Sequence, residues 1–596
     1  MKMRWLVAVG LIAVSFVGAW SFYQRQPAAV SRPVGSHPPA SRPLDQVTPE
    51  GALLYIEAQD FSKLLSDWNG APEKAKWLES ENNRVFSQSR MFFRLRRFYQ
   101  SFAVAAGVPP DTEFITDAAG KESVFALYDI GKVEFLYITH LHSTGFLSSV
   151  LWRSRNKFQP RSAGGATFFT RKDEESGQVV AFAVAGDYLL LATREDLMAH
   201  ALQLLGGQPG RSVQQEEWFS KVVAEAPATK GDLRMVLNLG KITVAPHFRS
   251  YWIQQNITEM AGYTSAVSDL YRQGRVYREE RVLLRKAQEG AMDEVKDEPR
   301  DKTRNENGNA IDSPETVDAL LSLAPDDSGF YQASVSTPQD ALDVLAQKIL
   351  SPQASVARTQ SQAPQIFLTD GEIGSESDLE TRIDVAVAAP SKESSFSGLR
   401  RQFEQANARA FLVVQGTRRN PDDVLLTIPS VMVIEASHDW NLHALQFALQ
   451  ADLASGLSAA TLGLGWKPVD QAGGYFELNG IHPLQLAVRG NLLYISNQPE
   501  MLAAVLQTKN TIIPPQGATY VAGFNHARER KNFYELTAAI DHSAQSASPY
   551  PSNQPRFFSQ NISSLSRTLA RLESEKVVVR EAKNKVFQTV IYQWAE

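Results

Sequence analysis

Residues 183–202, AVAGDYLLLATREDLMAHAL, are echoed by residues 487–506, AVRGNLLYISNQPEMLAAVL, and this echo constrains the fold more tightly than any other feature of the chain. Ala183, Val184, Gly186 and Leu189 fall on Ala487, Val488, Gly490 and Leu493, and Ala199 and Leu202 fall on Ala503 and Leu506. In both copies apolar residues at alternate positions give way to apolar residues at helical spacing. That pattern predicts a strand, a Gly-Asp or Gly-Asn turn, a second strand and then a helix. The likeness extends outward. Ala163-Gly164-Gly165 before TFFTR matches Ala472-Gly473-Gly474 before YFELN, and VFALYDIGKVEFLYITHLH at 124–142 resembles VLLTIPSVMVIEASH at 424–438. DLRMVLNLGK at 232–241 corresponds to ATYVAGFNHA at 518–527, and both copies close on long charged strand pairs. Similarity over half of a chain means duplication of a domain, not a solenoid of short units. A chain of 596 residues also exceeds what one core usually supports.

Each half therefore reads as an α+β unit: two tandem homologous domains, each a mainly antiparallel sheet with helices packed on one face, ferredoxin-like or related. The first repeat spans 48–287, a charged linker 288–313, and the second repeat 314–596 with a low-complexity insert at 352–380. Helices are expected at about 74–105, 145–153, 248–271 and 441–455. Within the first of these, MFFRLRRFYQSF at 91–102 puts Phe92, Leu95, Tyr99 and Phe102 on one stripe and its arginines elsewhere. A helix laid on a sheet with arginines in solvent is the expected reading, and a membrane-surface helix the alternative.

Lys2 and Arg4 precede an uncharged run, WLVAVGLIAVSFVGAWSFY at 5–23, and Arg25 follows it. As a helix this run would be roughly 28 Å long, enough to cross a hydrocarbon core. It reads as a transmembrane anchor behind a cytoplasmic N-terminus at 1–4, or as a signal peptide cut near Val17-Gly18-Ala19. Residues 24–47, with five prolines, read as an extended tether. The expected address is the bacterial inner (cytoplasmic) membrane, single-pass, with 24–596 on the periplasmic side. The chain has no cysteine, which excludes disulfides and thiolate chemistry. A net charge of −5, spread over the chain, implies no nucleic-acid partner.

Catalytic signatures are scarce. Gly120-Lys121-Glu122 and Gly240-Lys241-Ile242 lack the spacing and the hydroxyl of a phosphate-binding loop, and Gly463-Leu464-Gly465 lacks the third glycine of a dinucleotide site. There is no G-x-S-x-G elbow and no H-E-x-x-H helix. The one metal-like feature is His140-Leu141-His142 at a strand end, with His438 as the counterpart of His142; zinc would need further ligands. No cofactor and no catalytic residue are expected.

The segments TPEGALLYIEA, GVPPDTEFITDAAGKESVFALYDIG at 107–131, GDYLLLATREDL and GNLLYISNQPEM, together with the anchor and tether, resemble a family of bacterial extracytoplasmic proteins known only as a domain of unknown function. That resemblance implies no functional residues. The expected role is a non-enzymatic, membrane-tethered binding or scaffold protein, with a protein or envelope-polymer partner. The alternatives are a periplasmic carrier of an apolar ligand or lipid, and a hydrolase with scattered active-site residues.

Overall fold

The computed structural model describes residues 42–595 except 81–82, 84–86, 88–89, 109–112, 142–145, 148, 252–259, 287–313, 351–395, 420–425, 458–464, 472, 479–483, 509–516 and 533–568. The anchor at 5–23, the linker, the insert and His142 lie outside those residues. No helix among the described residues is long and apolar enough to cross a membrane.

The described residues form a mixed α+β structure organised on a 20-stranded sheet. The first ten strands are β1 Leu54–Ala58, β2 Ser123–Asp129, β3 Glu134–His140, β4 Gln159–Ala163, β5 Ala166–Lys172, β6 Val179–Ala185, β7 Tyr188–Ala192, β8 Leu233–Leu237, β9 Tyr263–Gln273 and β10 Val276–Arg285. The next ten are β11 Phe330–Val335, β12 Ala408–Gln415, β13 Ser430–Ala436, β14 Trp466–Val469, β15 Tyr475–Leu478, β16 Leu484–Arg489, β17 Leu492–Ser496, β18 Tyr520–Asn525, β19 Leu572–Ala582 and β20 Lys585–Trp594. Pairing in the first half runs β4-β5-β6-β7-β3-β2-β1-β8-β9-β10, antiparallel throughout. In the second half it runs β14-β15-β16-β17-β13-β12-β11-β18-β19-β20, again antiparallel. β10 pairs with β20 and makes the two runs one sheet.

Helices cover both faces, not one as the sequence suggested. The alternation along β2 shows why: Val124 and Ala126 enter one core and Phe125 and Leu127 the other. The first core is closed by α1 (Leu44–Val47), α4 (Glu195–Leu205) and α5 (Glu217–Ala224), through Leu44, Met198, Leu202 and Phe219. The second is closed by α2 (Arg90–Ala106) and α3 (Val150–Arg153), through Phe102, Ala106 and Leu151. In the other half α6 (Pro314–Leu321) and α10 (Pro499–Gln507) lie on one face, and α7 (Pro338–Leu345), α8 (Ser397–Ala406) and α9 (Leu442–Leu457) on the other. A strand sandwiched in this way reads as a continuous apolar run, and every residue of β7 and of β13 is buried.

Other expectations are corrected. Residues 42–47 are not tether, since Leu44 and Val47 are each 1% exposed inside the first core. Of the helix expected at 248–271, the C-terminal part is instead β9, where β-branched and small residues alternate toward the core and Val267 faces Val282; Pro246–Tyr251 is helical, and 252–259 lie outside the described residues. Within the helix expected at 74–105 the described residues include the helices Pro72–Leu78 and α2, and within that expected at 145–153 they include α3. The strand that partners β13 as β2 partners β3 is β12 at 408–415, not the LLT of 425–427. The Gly186 and Gly490 turns behave as expected: both have φ of +58°, the left-handed entry that a tight turn between twisted strands demands.

Both outer strands carry a proline opposite a phenylalanine, Pro160 facing Phe169 and Pro468 facing Phe476, with Arg161 and Lys467 beside them. Proline and charge on an edge block the addition of another strand. The double variant Pro160→Val plus Pro468→Val is therefore expected to self-associate as concentration rises, read by sedimentation velocity. A sedimentation coefficient equal to the parent's at every concentration would remove this role from the prolines.

Candidate functional site

The strongest concentration of polar groups lies under α1 in the first half. Tyr55 and Glu57 sit two apart on β1 and so share a face. Glu57 is 2% exposed, its Oε2 accepting from Tyr55 Oη at 3.1 Å and its Oε1 from Lys230 Nζ. Asp45 on α1 and Glu122 at the foot of β2 feel the same charges. Burial raises the pKa of Asp45; Glu57 pushes it further up, and Lys230 opposes both. Glu122 is raised by burial, then by Glu57, against the pull of Lys230 and His140. Burial and the adjacent Glu57 push the Tyr55 phenol far up, so it serves as a donor.

A carboxyl raised on folding binds its proton more readily in the native state. The penalty that Glu122 imposes is absent below its ordinary value of 4.5 and fully present above its raised native value. Glu122→Gln is therefore expected to raise the urea midpoint at pH 7, with the gain fading as pH falls through that window. A gain of equal size at pH 4 and pH 7 would mean the charge is not its source.

Beside this cluster, one cross-strand row crosses the ten central strands of the sheet. It runs Val124, Glu57, Arg234, Asp269, Glu280, then Thr589, Val578, Val521, Ala333 and Leu412. Arg234 donates from Nε to Asp269 Oδ1 and from Nη2 to Asp269 Oδ2, both at 2.8 Å, and these side chains are 6% and 0% exposed. The places of Arg234 and Asp269 in the second half are held by Val521 and Val578, and that of Glu57 by Ala333. The polar character of this face thus belongs to the first half.

A second polar group sits at the β10–β20 seam on the opposite face. Arg281 pairs with Glu279 and reaches Gln588 Oε1 of the other half at 3.3 Å. Glu279 also accepts from Ser268 Oγ at 2.5 Å. Beside them is a shallow groove lined by Met235, Leu237, Ala266 and Leu283.

Among the described residues no three His, Asp or Glu side chains are close enough to share an ion, and of the candidates His140 and His142 only His140 is described. The His140 ring packs tilted against Tyr188, 4.2 Å between ring centres, and its Nε2 is buried without a hydrogen-bond partner among the described residues. The expected pairing of His142 with His438 falls on a residue outside those described, and the neighbouring register does not favour it. His140 faces Tyr188 as Glu435 faces Leu492, so Glu435 is the residue at the place of His140, and His438 falls one residue beyond the place of His142. Ser123, Thr139 and Tyr137 form a hydroxyl group on the other face of β2 and β3, with Ser123 Oγ and Thr139 Oγ1 2.5 Å apart. His140 lies on the opposite face from them, so they have no imidazole base there. Sequence reading missed the charged row because its members are scattered from 57 to 280. Only strand register brings them together.

No known protein family matches the chain, and no curated protein matches it. Among solved structures it is similar to crystal form I of TP0453, at 15% identity over 43% of this chain and 82% of that one, with a TM-score of 0.24. Crystal form III of TP0453 gives 13% identity, 41% and 81% coverage and a TM-score of 0.24. Scores of this size do not separate related from unrelated folds.

Proposed function

We propose that the chain is a membrane-tethered, non-enzymatic binding or scaffold protein of the bacterial envelope, built from two copies of one ten-strand unit. The observation that carries the reading is the unbroken sheet: a broad, stiff support with closed edges and a charged row confined to one half. The uncharged run at 5–23 supplies the tether to a bilayer. Duplication is supported by the strand order, which repeats strand for strand, and by the register at the seam. Val276 and Lys585 begin β10 and β20; Val276 faces Gln593 and Leu284 faces Lys585, so each strand meets the other at the place its counterpart would occupy, about a centre at Glu280 and Thr589. This is the self-complementary pairing of a two-fold contact. A ferredoxin-like plan would slot a strand between the first two. β1 pairs directly with β2, so the unit we propose is a ten-strand plan of its own, entered from its middle.

The carrier reading gains less support. Between β5–β6 and α3 the space is filled by interlocking rings, with Phe169 stacked on Phe182 at 5.5 Å and Trp152 edge-on to Phe169 at 6.1 Å. Membrane fractionation tests the proposal. The full chain should stay with the membrane pellet after alkaline extraction and be digested by protease only when the outer layer of the cell is opened. Deleting 5–23 should leave it in the soluble fraction. A full chain found soluble in the cytoplasm would overturn the reading.

A further inference from the structure

The charge balance of the whole chain hides a local excess. Residues 83–110 contain Arg84, Arg90, Arg94, Arg96 and Arg97 and no acidic residue, and residues 141–172 contain six cations and again no acidic residue. The fold brings these two stretches together. α2 lies over β5, where the space beside Gly107 is bounded by Arg171, and α3 lies over the same strand through Trp152 and Phe169. α2 buries Phe102, Ala105 and Ala106 and turns the stripe Phe93, Arg97, Gln100 and Val104 to solvent, with Phe93 56% and Val104 61% exposed. Next to it α3 exposes Val150, and Arg153 and Lys157 follow on the same surface. Arg155 lies 5.1 Å over the Trp152 ring. Arg96, Arg97, Arg153 and Lys157 pair with no carboxylate among the described residues.

Large apolar side chains set among cations such as these four are the chemistry of an interface that meets lipid tails and anionic headgroups together. A nucleic-acid groove would want stacking rings shielded in a cleft, whereas Phe93, Val104 and Val150 stand proud. The chain also comes close to a bilayer if 5–23 is held in one. The described residues begin at Arg42, and an extended segment as long as residues 24–41 reaches about 56 Å at ~3.1 Å per residue. We propose that this face of the first half docks on an anionic phospholipid surface, laying the sheet against the membrane that tethers it. The proximity argument rests on the anchored reading; the surface chemistry does not.

The absence of cysteine makes the test direct. In the full chain, Val104→Cys carries an environment-sensitive dye, with Gln208→Cys beyond α4 on the opposite face as control. Each is floated with phosphatidylcholine vesicles, with and without phosphatidylglycerol. The dye at 104 should shift to the blue only with phosphatidylglycerol, and the dye at 208 with neither. The ratio of docked to undocked protein should fall roughly fivefold per cation removed, and so on the order of 30-fold in Arg96→Gln plus Arg97→Gln. A chain that floats with both vesicles while the dye stays in water overturns the docking and leaves the anchor standing. One that floats, dye buried, only with phosphatidylglycerol overturns the anchor and leaves the docking. Flotation with neither removes both, and a dye that answers to added RNA but not to phosphatidylglycerol assigns the face to nucleic acid.

Discussion

Replacing Arg234 with valine is expected to cost about 3–5 kcal/mol of stability, because it leaves the Asp269 carboxylate buried with its charge uncompensated. Asp269 is 0% exposed, and among the described residues the other donor to it is the Gly231 amide at 3.2 Å. Both oxygens lose the guanidinium. The double variant Arg234→Val plus Asp269→Val is expected to recover most of that loss and to lie within about 1 kcal/mol of the parent, since replacing both members of a buried pair with apolar groups is often neutral or better. The second half already carries the outcome: Val521 faces Val578 at the corresponding position, 0% and 4% exposed. Urea unfolding of the two single variants and the double gives the coupling directly. If the double loses as much as the sum of the singles, the pair is not what holds this part of the sheet.

Gly164→Ala is the second large effect, expected at roughly 2–4 kcal/mol. Gly164 and Gly165 form the two-residue turn between β4 and β5, with φ of +59° and +78°. A methyl group on Gly164 would stand 2.1 Å from the Leu202 carbonyl oxygen, so the last turn of α4 must move to admit it. Gly165 and Gly473 have φ in the same region but open surroundings: nothing lies within 4 Å of the first, and the second meets only Arg489 Nη2 at 3.5 Å. Alanine at either should cost about 1 kcal/mol, from the backbone conformation alone. Thermal melts of the three variants separate the cases; a Gly164→Ala loss no larger than that of Gly165→Ala would show that α4 gives way freely.

The same glycines show where sequence reading stops. Two Ala-Gly-Gly triplets look like one feature repeated, yet Gly164-Gly165 closes a tight hairpin whereas Gly473-Gly474 ends a longer connection between Val469 and Tyr475. What was legible depended on local pattern: the β6–β7–α4 and β16–β17–α10 segments, the strand at 54–58 and the antiparallel character of the whole. What was not legible depended on partners distant in the chain. Arg234 read as an ordinary polar position of a strand and Asp269 fell within an expected helix, and only the β8–β9 register makes them a buried pair. Helices on both faces were missed for a related reason, since a fully buried strand such as β7 loses its alternation and says nothing about which side is covered. The basic helix at 91–102 was legible by itself, but its neighbourhood with the cations of 153–172 was not, because a net charge near zero for the chain is compatible with a local excess that only the fold assembles.

The seam between β10 and β20 has a consequence for how the molecule comes into being. β10 ends at residue 285 and its outer partner is residues 585–594, so about 300 residues separate the two sides of that ladder. At ~5–20 residues per second, a ribosome takes roughly 15–60 s to cover that distance. Throughout that interval a ten-residue border of amides and carbonyls on the newly made half has nothing to satisfy it, while the finished molecule has prolines guarding its outer rims. The moment of greatest danger from aggregation is therefore before completion, and a holding factor that shields β10 would matter to the nascent chain alone.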